Sequence, residues 1–456
     1  MRPVSHSARL LAAVSVVAFA ATALTSCGGS TEDKNTIKIA YQRVPDDNVR
    51  VMDDYLALVK GQFEKANPGK HIDLIPITAA ENDYYAKLQQ MMRSPKTAPD
   101  LAYEDTFLIN SDIKAGYLRP LDDYLSSWPA WSQFVDTAKA AARAQDGKTY
   151  GVPDGTDTRG LWFDKDIFKK AGLPADWQPK SWNDILIAAR TVKAKVPGAI
   201  PLNLYTGKAP GEAAVMQGFE MLAYGTGADP LYDPRSKKWI QSGKGFSDAL
   251  DFVRTVYTEK LGPDISDALD PNIQPVVGTE WIPSGKLAID LDGSWLGNNW
   301  IKTGGKPWPQ WSQVMGTAAM PTQNGQAPGA VSMSGGWTWA IPAKAQHPAM
   351  AWDFIKALQS EPNAAEYDIR SANIAVRKDV AADHRYLSSM PGIDFFTKLV
   401  QYTHYRPALP VYPQVSTAIG TAMESVSTGQ SSTAAAAKAY DQQLSSITAG
   451  AVENER

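Results

Sequence analysis

Strand-like and helix-like segments alternate directly after the N-terminal region, and this alternation restricts the fold more than any other feature. Runs of β-branched and apolar residues predict strands at 36–41, 72–77 and 99–103. Apolar residues at helical spacing predict helices at 49–63 and 83–92 between those strands. Because parallel strands need a crossover connection, this order predicts an α/β fold whose parallel sheet is covered on both faces.

The rest of the chain continues this mixture of helices and strands. Its length of 456 residues is enough for two or three domain-sized units. The same patterns predict helices at 182–195, 213–224, 246–259, 350–358, 415–427 and 433–447, and strands at 199–205 and 285–291.

The charged and metal-ligating residues argue against several classes of function. The chain has 45 basic and 48 acidic side chains, so it lacks the excess positive charge on which nucleic-acid binding depends. Its five histidines are scattered, and its single cysteine cannot form a zinc site of two or four cysteines. We therefore expect no metal, no cofactor and no nucleic-acid partner.

The N-terminus has the three parts of an export signal. Two arginines supply positive charge, and the apolar run at 10–23 is shorter than the about 20 residues that a spanning helix needs. Small residues follow and end at Cys27, a motif that resembles a bacterial lipobox. The resemblance implies a lipoprotein signal peptide at 1–26, lipidation of Cys27 and a flexible tether at 27–35. An uncleaved anchor helix with an incidental cysteine is the alternative.

Four groups of residues follow one another along the mature chain in a characteristic order. They are YGVP at 150–153 with LWFDK at 161–165, AGL at 171–173 and SWND at 181–184; GKLA at 285–288 with DGSW at 292–295; GGW at 335–337 with PAMAWDFIK at 348–356; and RPALPVY at 406–412 with STG at 427–429. Their order and spacing resemble the bacterial extracellular solute-binding proteins of carbohydrate importers. One segment departs from the family pattern, since SANIAV at 371–376 stands where a glycine-x-x-proline turn is frequent.

The resemblance implies an α/β, two-lobe, periplasmic-binding-protein-like fold whose interleaved lobes are connected by a hinge and close around a ligand. We expect the chain to cross between lobes near 156–160, 289–292 and 335–339. The expected boundaries are 36–157 and 291–337 for the N-terminal lobe, and 158–290 and 338–456 for the C-terminal lobe, with the last helices able to pack on both.

The resemblance also implies partners and a location. The protein would be a monomer that delivers its ligand to the permease subunits of an ABC transporter. The lipid on Cys27 would hold it at the outer face of the bacterial cell membrane.

A neutral sugar presents both hydroxyl groups and apolar C–H faces, and aromatic residues are the candidates for the second surface. Trp295 and Trp337 follow glycine-containing turns at the expected cleft edge, where a ring could stack on a sugar. Each ring could instead fill the core, as buried tryptophans commonly do.

Carboxylates are the candidates for the sugar hydroxyls, because a buried hydroxyl without a partner is costly. Asp157 lies in the first expected crossing. Glu104 and Asp105 follow the third strand at its carboxyl end, where open α/β sheets bind ligands. Any of the three could instead cap a turn or a helix. The weaker candidates for ligand contact are Tyr41, Glu81, Asp292 and Arg370.

The main functional hypothesis is binding of a mono- or oligosaccharide without catalysis. An extracellular glycoside hydrolase would also combine carboxylates with aromatic walls, but the ordered motifs are those of a class without catalytic residues. A non-sugar solute, such as a polyol, a glycerol phosphoester or a peptide, is the other alternative. An anionic ligand is not excluded, because a phosphate group could pair with Arg43, Arg159 or Arg370.

Overall fold

The structure, a computed structural model, describes residues 34–43, 45, 50–79, 81–227, 230–302 and 304–455, apart from the side chains of Glu81 and Asn82. The expected signal peptide, Cys27 and all but the last two residues of the expected tether lie outside the described residues. Within the described part, no helix combines the length and the apolar character that crossing a membrane requires.

The strands of the described residues belong to four small or medium sheets. They are β1 Thr36–Arg43, β2 His71–Thr78, β3 Leu101–Asp105, β4 Gly151–Gly155, β5 Arg159–Asp164, β6 Tyr232–Asp233, β7 Lys238–Ile240, β8 Ile289–Gly293, β9 Met315–Ala318, β10 Met320–Pro321, β11 Ala330–Ser334, β12 Trp337–Ala340, β13 Thr403–Tyr405 and β14 Val452–Glu453.

Helices occupy most of the remaining described chain. They are α1 Val51–Ala66, α2 Glu81–Met92, α3 Ile109–Lys114, α4 Asp122–Ser126, α5 Asp136–Ala141, α6 Lys165–Ala171, α7 Trp182–Lys195, α8 Glu212–Val215, α9 Met221–Ala223, α10 Lys244–Thr258, α11 Ile265–Ala268, α12 Ile273–Val276, α13 Trp311–Val314, α14 Pro348–Leu358, α15 Glu361–Ser371, α16 Lys378–Ala381, α17 His384–Leu387, α18 Ile393–Leu399, α19 Tyr412–Ser427 and α20 Thr433–Ile447. Short 3₁₀ or π segments lie at Pro129–Gln133, Met216–Glu220, Tyr224–Thr226, Val277–Trp281, Ser294–Asn299 and Val400–Tyr402.

Helix α7 shows how a strong cap fixes an element boundary. The side chain of Ser181 accepts a hydrogen bond from the amide of Asp184 at 3.4 Å, and the Asp184 carboxylate accepts one from the amide of Ser181 at 3.0 Å. This capping box satisfies amide donors that the first turn would otherwise leave free. The predicted helix at 182–195 therefore matches the observed one at both ends.

The N-terminal lobe contains a five-stranded sheet in the order β2-β1-β3-β12-β4. Strand β1 pairs in parallel with both β2 and β3, which confirms the parallel arrangement predicted for the first three strands. The sheet then continues with β12, which is antiparallel to β3 and to β4. Helix α1 covers one face through Leu56, Val59 and Phe63, and these side chains are buried because they repeat at helical spacing.

The C-terminal lobe is built around the antiparallel sheet β8-β5-β9 and the neighbouring sheet β10-β11-β13. The helices α7, α10, α19 and α20 share one apolar core with β5, which includes Phe163, Phe219 and Tyr440. A third sheet, β14-β7-β6, brings the last described residues back to this lobe.

Within the described residues three short segments connect the lobes, and we call them the crossing segments. Residues 156–158 lead from β4 to β5, and residues 335–336 lead from β11 to β12. The third passes Ile374, whose backbone pairs with Thr156, before the chain reaches β13 in the C-terminal lobe. The crossing that we expected near 289–292 is wrong, because β8 pairs along its length with β5 inside the C-terminal lobe.

The lobe boundaries differ from the expected ones for the same reason. Most of 291–337 lies in the C-terminal lobe, since β9 pairs with β5 and β11 pairs with β13. After 338 the chain first remains in the N-terminal lobe, where Phe354 of α14 packs edge-on against Phe63 with 5.3 Å between ring centroids. These pairings are between residues far apart in sequence, which local patterns do not encode.

Gly336 allows two crossing segments to approach each other closely. Its φ is +123°, and a Cβ there would lie 2.5 Å from the carbonyl oxygen of Gly155. Gly336→Ala should therefore lower the free energy of unfolding by roughly 2–4 kcal/mol in urea denaturation. Gly329→Ala is the matched control, because its φ is also positive at +86° but nothing lies within 4 Å of the added Cβ. The control should lose about 1 kcal/mol, and equal losses would contradict the steric argument.

Asp154 lies beneath the first crossing segment and makes stability depend on pH. Its side chain is buried and accepts a short hydrogen bond from Nε2 of Gln359. Burial raises the pKa of Asp154 to about 7, although hydrogen bonds from Trp339, Tyr103 and Gln359 oppose the rise. An unfolded aspartate has a pKa of about 3.9, so the folded state binds more protons between these two values. This contribution to stability is complete below about pH 4 and is lost as the pH rises through 7.

Asp154→Asn replaces the carboxyl group with a neutral amide of the same shape. Between pH 5 and pH 8 the wild-type protein should lose about 2–3 kcal/mol of stability relative to this variant, in thermal or urea unfolding. Asp73→Asn, at an exposed position on β2, is the control and should leave the pH profile unchanged. Parallel pH profiles for wild type and Asp154→Asn would show that Asp154 is not a source of the dependence.

Candidate functional site

A cavity of about 620 Å³ lies between the two lobes, next to the crossing segments. Its walls come from the carboxyl end of β3, from the crossing segments at 156–158 and 335–336, and from the first turns of α8 and α19. Ligands of open α/β sheets bind at this end of the strands, because the loops there are free to vary.

The wall from the N-terminal lobe combines a carboxylate with aromatic rings. Asp105 accepts hydrogen bonds from the hydroxyl of Tyr85 at 2.6 Å and from the amide of Phe107 at 2.7 Å. Trp337 is paired with Asp105 in the register of β12 and β3, so its ring lies beside that carboxylate. The Trp337 ring stacks on Tyr103 at 4.8 Å between centroids, which fixes its orientation while the side chain stays half-buried.

The first crossing segment places an ion pair in the cavity. Arg159 donates a short hydrogen bond to Asp157, and a second one of 3.0 Å to the carbonyl oxygen of Met333. Asp157 also accepts a bond of 2.9 Å from the amide of Gly335 in the neighbouring crossing segment. The pair therefore connects two crossing segments and aligns both charged groups at the cavity wall.

Trp295 extends this ion pair into an aromatic surface. The guanidinium carbon of Arg159 lies 4.9 Å from the centroid of the Trp295 ring, which is cation–π distance. Ser294 lines the cavity beside it, and its buried Oγ has no hydrogen-bond partner among the described residues. An unpaired buried hydroxyl is costly, so Ser294 is a candidate donor or acceptor for a ligand.

The wall from the C-terminal lobe is centred on Glu212. Its carboxylate accepts hydrogen bonds from the hydroxyl of Tyr412 at 2.7 Å and from Ser416. Tyr412 also lies 2.8 Å from Glu220, and burial raises the pKa of Glu220 to about 8. The Tyr412 hydroxyl therefore lies between the two carboxyl groups and connects them.

The charges of the cavity balance. The charged residues of its described lining are Asp105, Asp157, Glu212, Arg159, Lys208 and Arg406, three of each sign. Arg406 lies 3.2 Å from Asp105 and 3.5 Å from Glu212, and Arg159 pairs with Asp157, so five of the six are held in ion pairs with one another. A cavity of this kind offers polar partners without an excess of charge, which suits an uncharged polar ligand.

The structure brings four of the sequence-predicted residues together at this cavity: Asp105, Asp157, Trp295 and Trp337. Their contact with a ligand stays a prediction. The side chain of Glu81 lies outside the described residues, and its backbone begins α2.

Tyr41 and Arg370 do not line the cavity, which corrects two of the weaker candidates. Tyr41 is buried in the N-terminal lobe and donates to Asp53, which also pairs with Arg43. Arg370 is exposed on α15 and pairs with Glu366, four residues earlier on the same helix face.

Glu104 and Asp292 also lie off the cavity wall. Glu104 points to the opposite side of β3 from Asp105, and burial together with the nearby Asp112 raises its pKa well above the ordinary value. Asp292 is buried behind the wall, where it accepts from Tyr205 at 2.8 Å and from Gln217 at 3.4 Å. Because Gln217 in turn accepts from Arg159 at 3.3 Å, Asp292 supports the site indirectly.

Two further residues, Glu212 and Arg406, line the cavity without having been predicted from sequence patterns. Glu212 follows the glycine- and proline-containing stretch 207–211 and is the first residue of α8. A side chain at such a position can point into a cleft. Arg406 begins the RPALPVY segment at 406–412, but nothing local distinguishes it from a surface arginine. No group of three histidine, cysteine, aspartate or glutamate side chains among the described residues could hold a metal ion.

Comparison with known families assigns this fold and cavity to a class. The sequence pattern of the family described as bacterial extracellular solute-binding protein matches residues 47–365. The match covers well over half of the chain, so the protein belongs to this family, whose members are binding proteins outside the cytoplasm.

Individual relatives agree with this assignment. A lactose-binding protein of Rhizobium radiobacter is 22% identical over 387 residues, covering 83% of each chain. The solved structure of a solute-binding protein of Thermotoga lettingae bound with α-D-tagatose superimposes with a TM-score of 0.74 at 21% identity, covering 91% of this chain and 99% of that one. The GacH receptor of Streptomyces glaucescens, solved unliganded and with acarbose, gives 0.74 at 22% identity, with 90% and 98% covered. The protein therefore has the two-lobe α/β fold of these binding proteins.

Proposed function

We propose that the protein is the extracytoplasmic substrate-binding component of an ABC transporter, and that it captures a mono- or oligosaccharide between its lobes for delivery to a membrane permease. The observation that carries this proposal is the charge-balanced cavity flanked by Trp295 and Trp337.

The two tryptophans supply the apolar surfaces that a sugar ring needs. Both are half-buried and line the cavity, one from each side of the crossing segments. Both are fixed by a neighbouring group, Trp337 by Tyr103 and Trp295 by Arg159. A ring that is already oriented loses little conformational entropy when a sugar stacks on it.

The paired charges supply hydrogen-bond partners for hydroxyl groups. Each carboxylate has two oxygens with about four acceptor positions, so Asp105, Asp157 and Glu212 retain acceptor capacity beyond their internal bonds. An anionic phosphoester would need guanidinium groups that are not already neutralised, whereas Arg159 and Arg406 are each paired with a carboxylate. A neutral ligand is therefore favoured over a phosphorylated one.

The ligands of the relatives support the same ligand class. They include lactose, α-D-tagatose and acarbose, all of which are saccharides or saccharide-like polyhydroxyl compounds. The family consists of binding proteins, and we propose that this chain binds its sugar without converting it. A ligand held by both lobes stabilises the closed arrangement by its differential affinity for that state.

The N-terminal residues complete the proposal. We propose that 1–26 is a signal peptide, that Cys27 carries the lipid anchor, and that residues 27–35 tether a monomeric protein to the outer face of the bacterial cell membrane. The lipobox resemblance and the membership of an extracellular family support this part.

Saccharide binding is tested by a thermal-shift screen with lactose, maltose, tagatose and mannobiose, followed by calorimetric titration of the best ligand. Trp295→Ala should weaken binding roughly tenfold, because it removes a stacking surface worth about 1.4 kcal/mol. Trp131→Ala is the control, since Trp131 is also half-buried but lies outside the cavity lining. Equal affinities for wild type and Trp295→Ala would remove Trp295 from the site, and release of smaller sugars from the titrated ligand would contradict binding without catalysis.

Membrane attachment is tested by fractionating cells that express the full chain. Cys27→Ala should move the protein from the membrane pellet to the soluble fraction, because no thiol is left for lipidation. Ser30→Ala, in the same tether, should remain in the pellet. A Cys27→Ala protein that stays in the pellet after a high-salt wash would disprove the lipid anchor.

A further inference from the structure

Arg406 belongs to the C-terminal lobe but bonds to the N-terminal lobe. We infer that Arg406 is a positioning residue that latches the lobes together across the cavity, so that part of the closing free energy is independent of the ligand. The inference rests on the proposed function in so far as lobe closure is the binding step.

The C-terminal lobe fixes the backbone of Arg406. The preceding strand β13 pairs in parallel with β11, with Tyr405 beside Ser334. The guanidinium Nη1 lies 3.5 Å from Glu212, the carboxylate that Tyr412 and Ser416 hold on the same lobe. Arg406 therefore moves with this lobe.

The same guanidinium makes its remaining polar contacts with the N-terminal lobe. Nη2 donates to Oγ1 of Thr106 at 2.8 Å and to Oδ1 of Asp105 at 3.2 Å. The guanidinium carbon also lies 5.4 Å from the centroid of the Phe107 ring. These three residues follow one another where β3 ends, so the side chain of Arg406 contacts three consecutive residues of the N-terminal lobe.

Thr106 connects the contacts of Arg406 to a crossing segment. Thr106 donates its own hydroxyl to the carbonyl oxygen of Gly336 at 2.9 Å, and its amide donates to the same oxygen at 3.1 Å. The Thr106 hydroxyl thus accepts a hydrogen bond from Arg406 and donates one to the crossing segment at 335–336. A rotation of one lobe relative to the other would stretch the Arg406 bonds while Thr106 stays with the crossing segment.

Two further contacts cross between the lobes beside Arg406. Ser111 donates to the carbonyl oxygen of Pro410 at 3.0 Å, and the ring of Phe107 meets Tyr412 edge-on at 6.0 Å between centroids. A second cavity of about 630 Å³ is lined by Pro410, which takes part in one of these contacts, and by Tyr150 from one lobe and Trp239 from the other. Direct contacts between the lobes therefore adjoin both cavities.

The Arg406 ion pairs are largely shielded from solvent, so the loss of one partner is more costly than at the surface. The side chains of Arg406, Asp105 and Glu212 are 8%, 11% and 14% exposed. Removing the cation from such a triad leaves two carboxylates close together without a counter-charge, and separating the lobes would relieve that repulsion. A binding-competent state that is less populated lowers the apparent affinity in proportion.

The latch is tested by measuring the distance between the lobes in the absence of saccharide. In a full chain with Cys27→Ala, which removes the single cysteine, Lys87→Cys and Ala209→Cys place one spin label on each lobe at exposed positions. Pulsed electron–electron double resonance then measures the distances between the two spin labels and gives the ratio of short to long distances. We expect the wild-type background to populate the short distance, and Arg406→Gln to reduce the short-to-long ratio at least tenfold.

Two variants separate latching from a general structural role. Arg406→Lys keeps the charge without the planar fork and should restore part of the short population. Arg370→Gln removes an arginine whose ion pair lies within α15, and it should leave the distances unchanged. If Arg406→Gln does not fold, Asp105→Asn breaks the latch from the other lobe and should lengthen the distance in the same direction.

The outcomes distinguish this inference from the proposed function. A long distance in the ligand-free wild-type background, or unchanged distances in Arg406→Gln, would overturn the latch even if saccharides bind. If no saccharide raises the melting temperature in the thermal-shift screen, the proposed ligand class is overturned. The distances measured without ligand would still show whether Arg406 holds the lobes together.

Discussion

The close backbone contact of the crossing segments is the constraint on which the rest of the structure depends. Thr156 exchanges two backbone hydrogen bonds with Ile374, at 2.9 and 2.8 Å, and donates its hydroxyl to the carbonyl oxygen of Gly335 at 2.8 Å. Three stretches of chain from distant parts of the sequence thus meet at one point. Because Asp157 lies in one of these stretches and Trp337 directly follows another, the geometry of the crossing segments and the geometry of the cavity are set together. A binding protein built in this way transmits the position of its ligand to the angle between its lobes through very few covalent connections.

The cavity is polar without being charged overall, and this property comes from pairing rather than from an absence of charged residues. Arg159 with Asp157, and Arg406 with Asp105 and Glu212, hold donors and acceptors in fixed directions. Prearranged groups lower the cost of binding, since their side chains are ordered before the ligand arrives. Buried residues behind the wall, such as Asp292 and Gln217, contribute by orienting this layer instead of touching the ligand.

The sequence predicted those parts of the fold that local patterns encode. The first three strands, their parallel pairing and α7 with its capping box follow from periodicity and caps over a few residues. The assignment of β8 and α14 to lobes was wrong, because it depends on pairing with β5 and packing against α1, far away in sequence.

Within the site, the sequence could not show to which face of a strand a side chain points. Glu104 and Asp105 are neighbours at the end of one strand, and side chains there alternate between faces, so a one-residue difference separates the cavity wall from the core. Trp295 and Trp337 could be singled out because glycines precede them. Arg406 could not, since its partners lie about 200 and 300 residues earlier in the chain.

The direction of β1 has a mechanical consequence. The chain enters the N-terminal lobe at Thr36, where the carbonyl of Asn35 accepts a hydrogen bond from His71 at 2.7 Å, and the eight residues of β1 then run toward the cavity end of the sheet. At about 3.3 Å per residue, the entry point lies roughly 26 Å from that end. A force on Thr36 therefore acts on the N-terminal lobe, at the end of its sheet opposite the cavity. Such a force enters the structure away from the crossing segments, so it does not act directly on the angle between the lobes.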